Sequence, residues 1–530
     1  MVQPTARTAE LVRSYSAPSL DVAHLLCDRH PGHAVAARVV GEDLSETTVT
    51  YAELAESSRR FAGVLSDRGI GPGHRVATLM GKSVDLLTVL VGIWRVGAVY
   101  VPLFTAFAET AVTDRLRRSG TRLVIADTDQ RHKISEGAWE ILPADDLATE
   151  MARTEPWEPG SVAVGGNGPL VHMFTSGTTG SPKGVVHPAR YVGGWHSYLE
   201  FGLGVGPDSV FWCAADPGWA YGLYTAIIAP LAAGIPTLLL RGGFSVDTTL
   251  GVLSQLKVTH FAAAPTVYRG LRNSGRIRAG ELTVPHLSSA GEPLTPDVNA
   301  WAPEALGAQV HDHYGQTEIG MPIGFPHHPA VSVPVQDAAM GVALPGWSVT
   351  VLATDRDEPA VPGTVGRLAV VVADSPHMTF AAYADGDHHG RFVGDGRYYV
   401  TGDTASIDAT AVVRFSARDD DVIIMAGYRI GPFDVEAVLA RHPAVAECAV
   451  IAAPDEVRGE VIEAYVVTTI DSAVTQDELQ QWVKDHYAAH AYPRRIHFVP
   501  SLPKTPSGKI QRAELRRRRR AEVLDEEGPR

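Results

Sequence analysis

The sequence is poor in cysteine and has no excess of basic residues, and both shortages exclude classes of protein. Three cysteines in 530 residues, none in a C-x-x-C spacing, do not support a disulfide framework. Acidic residues outnumber basic ones, 60 to 46, which argues against a broad nucleic-acid-binding surface. The N-terminus also lacks the apolar segment of a secretion signal, so we expect a cytoplasmic protein.

Long uninterrupted apolar runs are missing as well. The two most apolar stretches are residues 84–104 and 223–240, and charged or helix-breaking residues such as Arg95 and Pro230 interrupt them. Both stretches predict buried helix–strand units rather than membrane spans. A chain of this length is too long for one hydrophobic core, so two or more domains are expected.

The pattern along the chain is mostly helix alternating with apolar strand, which predicts an α/β fold with parallel-rich sheets covered by helices. Residues 341–416 have short alternating runs and predict a small β-rich subdomain. A charge cluster near 417–420 separates these from a small α+β domain, giving predicted domains 1–417 and 418–530. The arginine-rich C-terminal tail is typical of a frayed, solvated end.

The stretch TSGTTGSPKG at 175–184 has the composition of a phosphate-binding loop. Gly177 and Gly180 permit close backbone approach to an anion, the hydroxyl residues add donors, and Lys183 adds a positive charge. The spacing is not that of a Walker loop, and the chain has no G-x-G-x-x-G fingerprint. A flexible surface loop is the alternative interpretation of this stretch alone.

Five ordered motifs closely resemble those of the adenylate-forming family, which contains acyl-CoA synthetases, peptide-synthetase adenylation domains and luciferases. Within that family the acetyl-CoA and medium-chain acyl-CoA synthetases are the most similar type. The motifs are TSGTTGSPKG, SAGEP at 289–293, HDHYGQTE at 311–318, YVTGD at 399–403 with RDDDVIIMAGYRIG at 418–431, and LPKTPSGKIQR at 502–512. The resemblance implies that ATP and a carboxylic acid form an acyl-adenylate and pyrophosphate, and that coenzyme A then takes the acyl group.

The resemblance also implies roles for the phosphate end of the site. The loop residues expected to hold the β- and γ-phosphates are Thr175, Ser176, Gly177, Thr178, Thr179, Gly180 and Lys183. Thr317 is expected to contact the α-phosphate, and Glu318 to bind Mg²⁺, a cation that prefers carboxylate oxygen. The alternative for Glu318 is an ordinary surface carboxylate.

The nucleoside end is expected on two further motifs. The residues that the resemblance places around the nucleotide are Gly291, Glu292, Pro293, Asp312, His313, Tyr314 and Gln316. Asp403, assisted by Arg418, is expected to accept hydrogen bonds from the ribose, although a turn-forming role for Asp403 is the alternative. The HDH run is also compatible with a metal site, but its one-residue spacing and lack of a third clear ligand argue against that.

Lys509 is the expected catalytic lysine, since a mobile ammonium can bridge the attacking carboxylate and the α-phosphate. By composition alone it is a solvent lysine, and only the motif assigns it this role. The resemblance further implies that a mobile C-terminal domain pivots at Asp420 between the two half-reactions. That rotation would bring Gly427 to a channel for coenzyme A, and Arg429 is expected to contact the phosphate of the adenylate.

The acyl pocket is expected on two segments, and its candidate residues are Trp219, Ala220, Tyr221, Ala290 and Gly315. Acetate-specific relatives have a tryptophan where this chain has Gly315, so the sequence favours a medium-chain, branched or aromatic acid over acetate. A core aromatic is the alternative interpretation of Trp219. Transfer of the adenylate to an amine or a carrier-protein thiol, and a non-catalytic nucleotide-binding protein, remain the rival functions.

Overall fold

The computed structural model describes residues 3–158, 160–175, 182–418, 421–425, 428–455, 459–469, 472–487, 491–505 and 509–527. Within these residues the α-helices are α1 (Pro4–Tyr15), α2 (Tyr51–Asp67), α3 (Val84–Arg95), α4 (Glu109–Ser119), α5 (Leu147–Arg153), α6 (Tyr191–Ser197), α7 (Ala220–Gly222), α8 (Ala229–Ala233), α9 (Val246–Gln255), α10 (Pro265–Asn273), α11 (Pro296–Leu306), α12 (Pro432–Leu439), α13 (Gln476–His486) and α14 (Arg512–Glu527).

The strands of the N-terminal two thirds are β1 (Val35–Val40), β2 (Glu46–Thr50), β3 (Arg75–Leu79), β4 (Val99–Pro102), β5 (Thr121–Ala126), β6 (Glu140–Pro143), β7 (Pro169–Phe174), β8 (Gly184–Pro188), β9 (Phe211–Cys213), β10 (Thr237–Leu240), β11 (His260–Ala263), β12 (His286–Ala290), β13 (Val310–Gln316) and β14 (Gly320–Gly324). The remaining strands are β15 (Val342–Ala343), β16 (Val349–Leu352), β17 (Gly366–Val371), β18 (Phe392–Val393), β19 (Tyr398–Ile407), β20 (Val413–Arg418), β21 (Ile423–Met425), β22 (Tyr428–Ile430), β23 (Val445–Asp455), β24 (Gly459–Thr468) and β25 (Arg495–Phe498).

Two large sheets form most of the molecule. One has the order β15-β14-β13-β12-β11-β9-β10-β1-β2, and the other has the order β6-β5-β3-β4-β7-β8. The central strands of both sheets pair in parallel, and antiparallel pairs occur at their edges. The expected fold of parallel-rich sheets with covering helices is therefore confirmed.

Local sequence signals explain where the covering helices begin. Helix α2 begins after a capping box, in which the side chain of Thr50 accepts from the backbone N–H of Glu53 while Glu53 accepts from the backbone N–H of Thr50. Helix α3 begins after Ser83, whose hydroxyl accepts from the N–H of Leu86. This helix and β4 account for the apolar stretch at 84–104. In the described part of the chain, no helix has both the length and the apolar character needed to cross a bilayer.

The smaller sheets also match the sequence pattern. Strands β16 to β20 form an antiparallel sheet within the expected β-rich region, and β21 to β25 form a separate sheet covered by α12 and α13. The change of sheet falls after Arg418, where β20 ends. One expectation was wrong, because the arginine-rich tail forms helix α14. Its buried Arg519 pairs with Glu463 at 2.8 Å, which ties this tail to β24.

Candidate functional site

A large cavity lies where the carboxyl ends of the parallel strands of the two large sheets face each other. It has a volume of about 1500 Å³. Its wall includes Phe104 after β4, Asp127 after β5, Thr175 after β7, Asp216 after β9 and Gly291 after β12. Ligands of α/β proteins bind beyond the carboxyl ends of parallel strands, so the topology places a binding site here.

The two ends of the glycine-rich loop meet at this cavity. The backbone N–H of Thr175 donates to the carbonyl of Lys183 at 2.9 Å, which closes the base of the loop, and both residues line the cavity. The predicted loop residues Ser176, Gly177, Thr178, Thr179 and Gly180 lie outside the described residues. The two described ends of this stretch, Thr175 and Lys183, therefore lie at the cavity.

Thr317 and Glu318 line the same cavity, and two buried side chains hold the backbone carbonyl of Thr317 by hydrogen bonds. The carbonyl of Thr317 accepts from the hydroxyl of Tyr191 at 2.9 Å and from Nε2 of His187 at 2.7 Å. Burial lowers the pKa of His187 to about 3, so its imidazole is neutral and Nε2 carries the donated proton. This fixed turn holds the following carboxylate, that of Glu318, in the wall.

The carboxylate of Glu318 has the surroundings that a Mg²⁺ ligand requires. It is buried, and the hydroxyl of Tyr383 donates to its Oε1 at 2.8 Å, leaving Oε2 for another partner. Mg²⁺ is usually bound by one or two carboxylates together with substrate phosphates, rather than by a cage of protein ligands. Among the described residues no cluster of three or more His, Cys, Asp and Glu is arranged for a metal. The residues present fit a phosphate-bridging Mg²⁺.

Asp403 also lines the cavity, in a bulged strand pair between β19 and β20. Its Oδ2 accepts from the hydroxyl of Tyr314 and from the side-chain amide of Gln316 at 2.9 Å, while Arg418 Nε lies 3.6 Å from Oδ1. Burial raises the pKa of Asp403 above its ordinary value, and the charge of Arg418 opposes that rise. Gln316, Asp403 and Arg418 are thus brought together at the cavity as expected.

Some of the residues predicted to surround the nucleotide line the cavity, and others do not. Among the described residues of those two motifs, Gly291 and Gln316 line the cavity, whereas Glu292, Pro293, Asp312, His313 and Tyr314 do not. Glu292 pairs with Arg269 at 2.8 Å, and buried Asp312 accepts from the backbone N–H of His313 at 3.1 Å. Asp312 and His313 point to opposite faces of β13, and both are buried because this strand is covered on both faces, which a linear motif does not reveal.

Lys509 reaches the cavity from the C-terminal part of the chain. Its backbone N–H donates to the hydroxyl of Thr505 at 3.0 Å, and its side chain joins the wall that contains Thr317 and Asp403. Burial among the surrounding groups and then the charge of Arg418 lower the pKa of Lys509. Much of the surface of Lys509 is nevertheless exposed. Gly427 and Asp420 lie outside the described residues, as does the side chain of Arg429.

A second part of the cavity wall is aromatic. Of the predicted acyl-pocket residues, Trp219, Ala220, Tyr221, Ala290 and Gly315 all line it, and Trp195 and Met321 join them. Trp219 packs against Phe104 and Phe107, with ring centroids 5.5 Å apart in each pair. Trp219 is therefore both a pocket residue and part of a small aromatic core.

Gly315 contributes to this wall in an unexpected way. A Cβ added there would lie 2.2 Å from the carbonyl oxygen of Gly320 and 2.3 Å from Sδ of Met321. The expectation that the missing side chain leaves open space is therefore corrected. Met321 occupies the space beside Gly315, and the nearby backbone leaves no room for a side chain at this position.

The hydroxyl of Tyr221 is already hydrogen-bonded within the protein. Phe325 O lies 3.0 Å from Nε2 of His313, and since a carbonyl only accepts, Nε2 carries the proton and Nδ1 is an acceptor. The hydroxyl of Tyr198 lies 2.7 Å from that Nδ1, and the hydroxyl of Tyr221 lies 3.0 Å from the oxygen of Tyr198. Each tyrosine hydroxyl has one proton to donate. Tyr198 donates to His313, so Tyr221 donates to the oxygen of Tyr198 and has no proton left for a substrate.

The cavity residues that the sequence reasoning missed include Trp195, Met321, Tyr383 and Arg391. Tyr383 connects two expected residues, because Lys183 Nζ lies 4.9 Å from its ring centroid while its hydroxyl bonds to Glu318. Met321 comes three residues after the end of the predicted motif at Glu318. Tyr383 and Arg391 come from a loop without any recognised motif.

Comparison with known proteins agrees with this arrangement. A model of the AMP-binding enzyme family matches residues 26–378, and one of the AMP-binding enzyme C-terminal domain matches residues 434–509. The acetyl-coenzyme A synthetase of Bacillus subtilis (strain 168) is 33% identical over 493 residues, covering 88% of this chain and 84% of that protein.

Solved structures are similar over almost the whole chain. The crystal structure of Brucella canis acyl-CoA synthetase is 38% identical with a TM-score of 0.75, covering 98% of each chain. The crystal structure of ATP-bound MatB from Rhodopseudomonas palustris is 25% identical with a TM-score of 0.83, covering 94% of this chain and 98% of that one.

The fold, the cavity between the two sheets and the converging motif residues define an adenylate-forming ligase. The chain belongs to the AMP-binding enzyme family. It is an acyl-CoA synthetase, an AMP-forming acid–thiol ligase that uses a carboxylic acid, ATP, Mg²⁺ and coenzyme A.

Proposed function

We propose that this synthetase activates a medium-chain, branched or aromatic carboxylic acid in preference to acetate. The observation that carries the proposal is the wall around Gly315. The backbone there has no room for a side chain, so no indole closes the pocket, and the flexible thioether of Met321 lies in that place. Thioether side chains adapt their shape, which suits an acyl group larger than two carbons.

The polarity of the wall supports an apolar acyl group. The rings of Trp195, Trp219 and Tyr221 line it, and the hydroxyl proton of Tyr221 is used by Tyr198. A wall made mainly of aromatic rings favours burial of apolar surface. An alkyl chain or an aromatic ring therefore matches it better than a second charged group.

Activation requires that charge on the triphosphate be neutralised as pyrophosphate leaves. In our proposal Thr175 and Lys183, at the base of the glycine-rich loop, contact the β- and γ-phosphates. Thr317 contacts the α-phosphate, and Glu318 would bind Mg²⁺, which supplies further positive charge when bound. Asp403 with Arg418, in the same wall, binds the ribose.

Lys509 is the residue proposed to join the two reactants. The carboxylate oxygen attacks the α-phosphorus, an O–P bond forms, and the bond to the β-phosphate oxygen breaks. The ammonium of Lys509 would neutralise both the carboxylate and the α-phosphate as they approach. Its position in the same wall as Thr317 and Asp403 supports this role.

The acceptor of the acyl group requires a second path to the same carbonyl. Two basic residues that follow strands of the two sheets, Lys82 after β3 and Arg241 after β10, also line the cavity. We propose that coenzyme A enters along such a path after residues 418–530 rotate about Asp420. That movement would withdraw Lys509 and bring Gly427 and Arg429 towards the adenylate.

The experiment that tests the proposed substrate class is a panel of carboxylic acids of increasing size. Pyrophosphate release with coenzyme A present is measured for acetate, linear acids of medium length, branched acids and benzoate. We expect kcat/KM for the best larger acid to exceed that for acetate by at least about 10-fold, since one methylene is worth roughly that much in an apolar pocket. A maximum at acetate would contradict the proposal.

A further inference from the structure

Arg391 has a fixed position at the edge of the cavity, although no motif points to it. Its backbone carbonyl accepts from the N–H of Val400 at 2.7 Å, which anchors it at the start of the β18–β19 hairpin. Its Nη1 donates to the carbonyl of Val400 at 3.3 Å. The side chain is half-buried and contributes to the cavity wall.

The guanidinium of Arg391 lies directly over Gly402. A Cβ added to Gly402 would be 2.3 Å from Nη1 and 3.3 Å from Nη2, so only glycine permits this approach. Gly402 also has a φ of +77°, which independently favours glycine. The turn that presents Asp403 therefore also makes room for a cation beside it.

No carboxylate among the described residues forms a close ion pair with this cation. The side chain of Arg391 has hydrogen-bond partners in the carbonyl of Val400 and the hydroxyl of Tyr383. Burial lowers the pKa of Arg391, but nearby Tyr399, Tyr383 and Glu318 outweigh it, so the guanidinium stays charged. A charged guanidinium in a cavity wall is suited to an anion, and arginine matches phosphate oxygens in particular.

We propose that Arg391 is a further catalytic residue that binds the phosphate chain of ATP and stabilises the departing pyrophosphate. The inference rests on the proposed nucleotide end of the cavity, because Glu318, Gly402 and Asp403 surround Arg391. In the adenylation step the electron pair of the broken P–O bond remains on the pyrophosphate oxygen. Arg391 keeps its proton and offers two N–H donors to that charge.

The test compares Arg391→Gln with Arg391→Lys and with Arg397→Gln. Arg397 lies in the same hairpin, is exposed and is outside the cavity wall, so its variant removes an equal charge without touching the site. Binding of ATP, AMP and inorganic pyrophosphate is measured by calorimetry without acid. We expect Arg391→Gln to weaken ATP and pyrophosphate about 10- to 100-fold, the usual effect of losing a charge-assisted contact, and to leave AMP within about 3-fold.

Arg391→Lys is expected to recover part of the loss, and Arg397→Gln to behave as wild type. Thioester formation from supplied acyl-AMP should be unaffected in Arg391→Gln, because no pyrophosphate takes part. Unchanged ATP binding in Arg391→Gln, or an equal loss of AMP and ATP, would overturn the inference. Wild-type enzyme that releases no pyrophosphate with any acid would instead contradict the proposed function, whatever the binding data show.

Discussion

The hydroxyl of Tyr383 donates a 2.8 Å hydrogen bond to Oε1 of Glu318. The same ring lies 4.9 Å from the ammonium of Lys183, at the base of the glycine-rich loop. Tyr383 therefore connects the proposed metal ligand with a proposed phosphate contact. A residue outside every recognised motif sets the orientation of one inside a motif.

Replacement of Tyr383 by Phe tests this relationship. Loss of one hydrogen bond to a carboxylate leaves Glu318 less well oriented, at a cost of about 1.5 kcal/mol or more. We expect the Mg²⁺ concentration for half-maximal pyrophosphate release to rise about 10-fold. Tyr398→Phe is the matched control, since Tyr398 lies in the same subdomain but outside the cavity wall. An unchanged Mg²⁺ requirement in Tyr383→Phe would show that Glu318 does not depend on Tyr383.

The variant Lys509→Ala should separate the two half-reactions. Adenylate formation requires a cation between the carboxylate and the α-phosphate, whereas attack of a thiol on acyl-AMP does not. We expect pyrophosphate release to fall at least about 100-fold, an ordinary loss for a group that stabilises the transition state. Acyl-CoA formation from supplied acyl-AMP should remain within about 3-fold of wild type.

Lys504→Ala is the control for this change, because Lys504 lies five residues earlier and pairs with Glu447 at 2.7 Å. It should retain both half-reactions. Equal loss of both half-reactions in Lys509→Ala would contradict the assignment of Lys509 to adenylation.

Met321 should set the depth of the acyl pocket. Shortening it to Ala opens the space next to Gly315 that its sulfur now fills. We expect the ratio of kcat/KM for a longer acid to that for a shorter one to rise about 10-fold, measured across a series of linear acids. Met151→Ala provides a control outside the cavity wall. If both variants give the wild-type acid profile, Met321 does not limit the pocket.

Buried histidines should make the protein acid-labile. Burial lowers the pKa of His172, His260, His311 and His377 to about 4 and that of His187, His196 and His313 to about 3, against 6.5 in the unfolded chain. Between these values the unfolded state binds more protons than the folded state, so the free energy of unfolding rises with pH. Each histidine contributes a slope of up to about 1.4 kcal/mol per pH unit.

Buried carboxyls oppose this trend. Burial raises the pKa of Asp434 to about 6. A carboxyl whose pKa is higher in the folded state stabilises that state as the pH falls. The histidines are more numerous, so urea midpoints should increase from pH 5 to about 6.5 and then level off. His311→Gln should reduce the slope, whereas His132→Gln, at an exposed histidine, should not. Midpoints independent of pH in this range would contradict the neutral buried state of these imidazoles.

Much of the fold was predictable because its signals are local. The helical spacing of residues 51–69 and the apolar run at 236–240 are properties of short windows, and the structure has α2 and β10 there. Helix α14 was not predictable in the same way. Its arginines appear solvated in sequence, and only the distant Glu463 and Asp421 show why Arg519 and Arg516 are fixed.

The site was predictable where the motif residue itself faces the cavity. Thr317, Glu318, Asp403 and Lys509 all line it. The spacing of the motif did not predict that His313 is buried and hydrogen-bonded to Tyr198. The face to which a strand residue points depends on how the strand is paired within its sheet. The sequence did not predict Arg391, because its guanidinium is placed over Gly402, and this contact joins residues of different segments.

The central claim is that the enzyme couples acid activation to thioester formation. Its most direct test is the product ratio with ATP, Mg²⁺, coenzyme A and the best acid of the panel, measured by mass spectrometry. We predict pyrophosphate, AMP and acyl-CoA in equal amounts. When coenzyme A is omitted, pyrophosphate should be limited to about one turnover per site, because the acyl-adenylate is then released slowly. Formation of ADP and phosphate, or pyrophosphate release that does not depend on the acid, would contradict it.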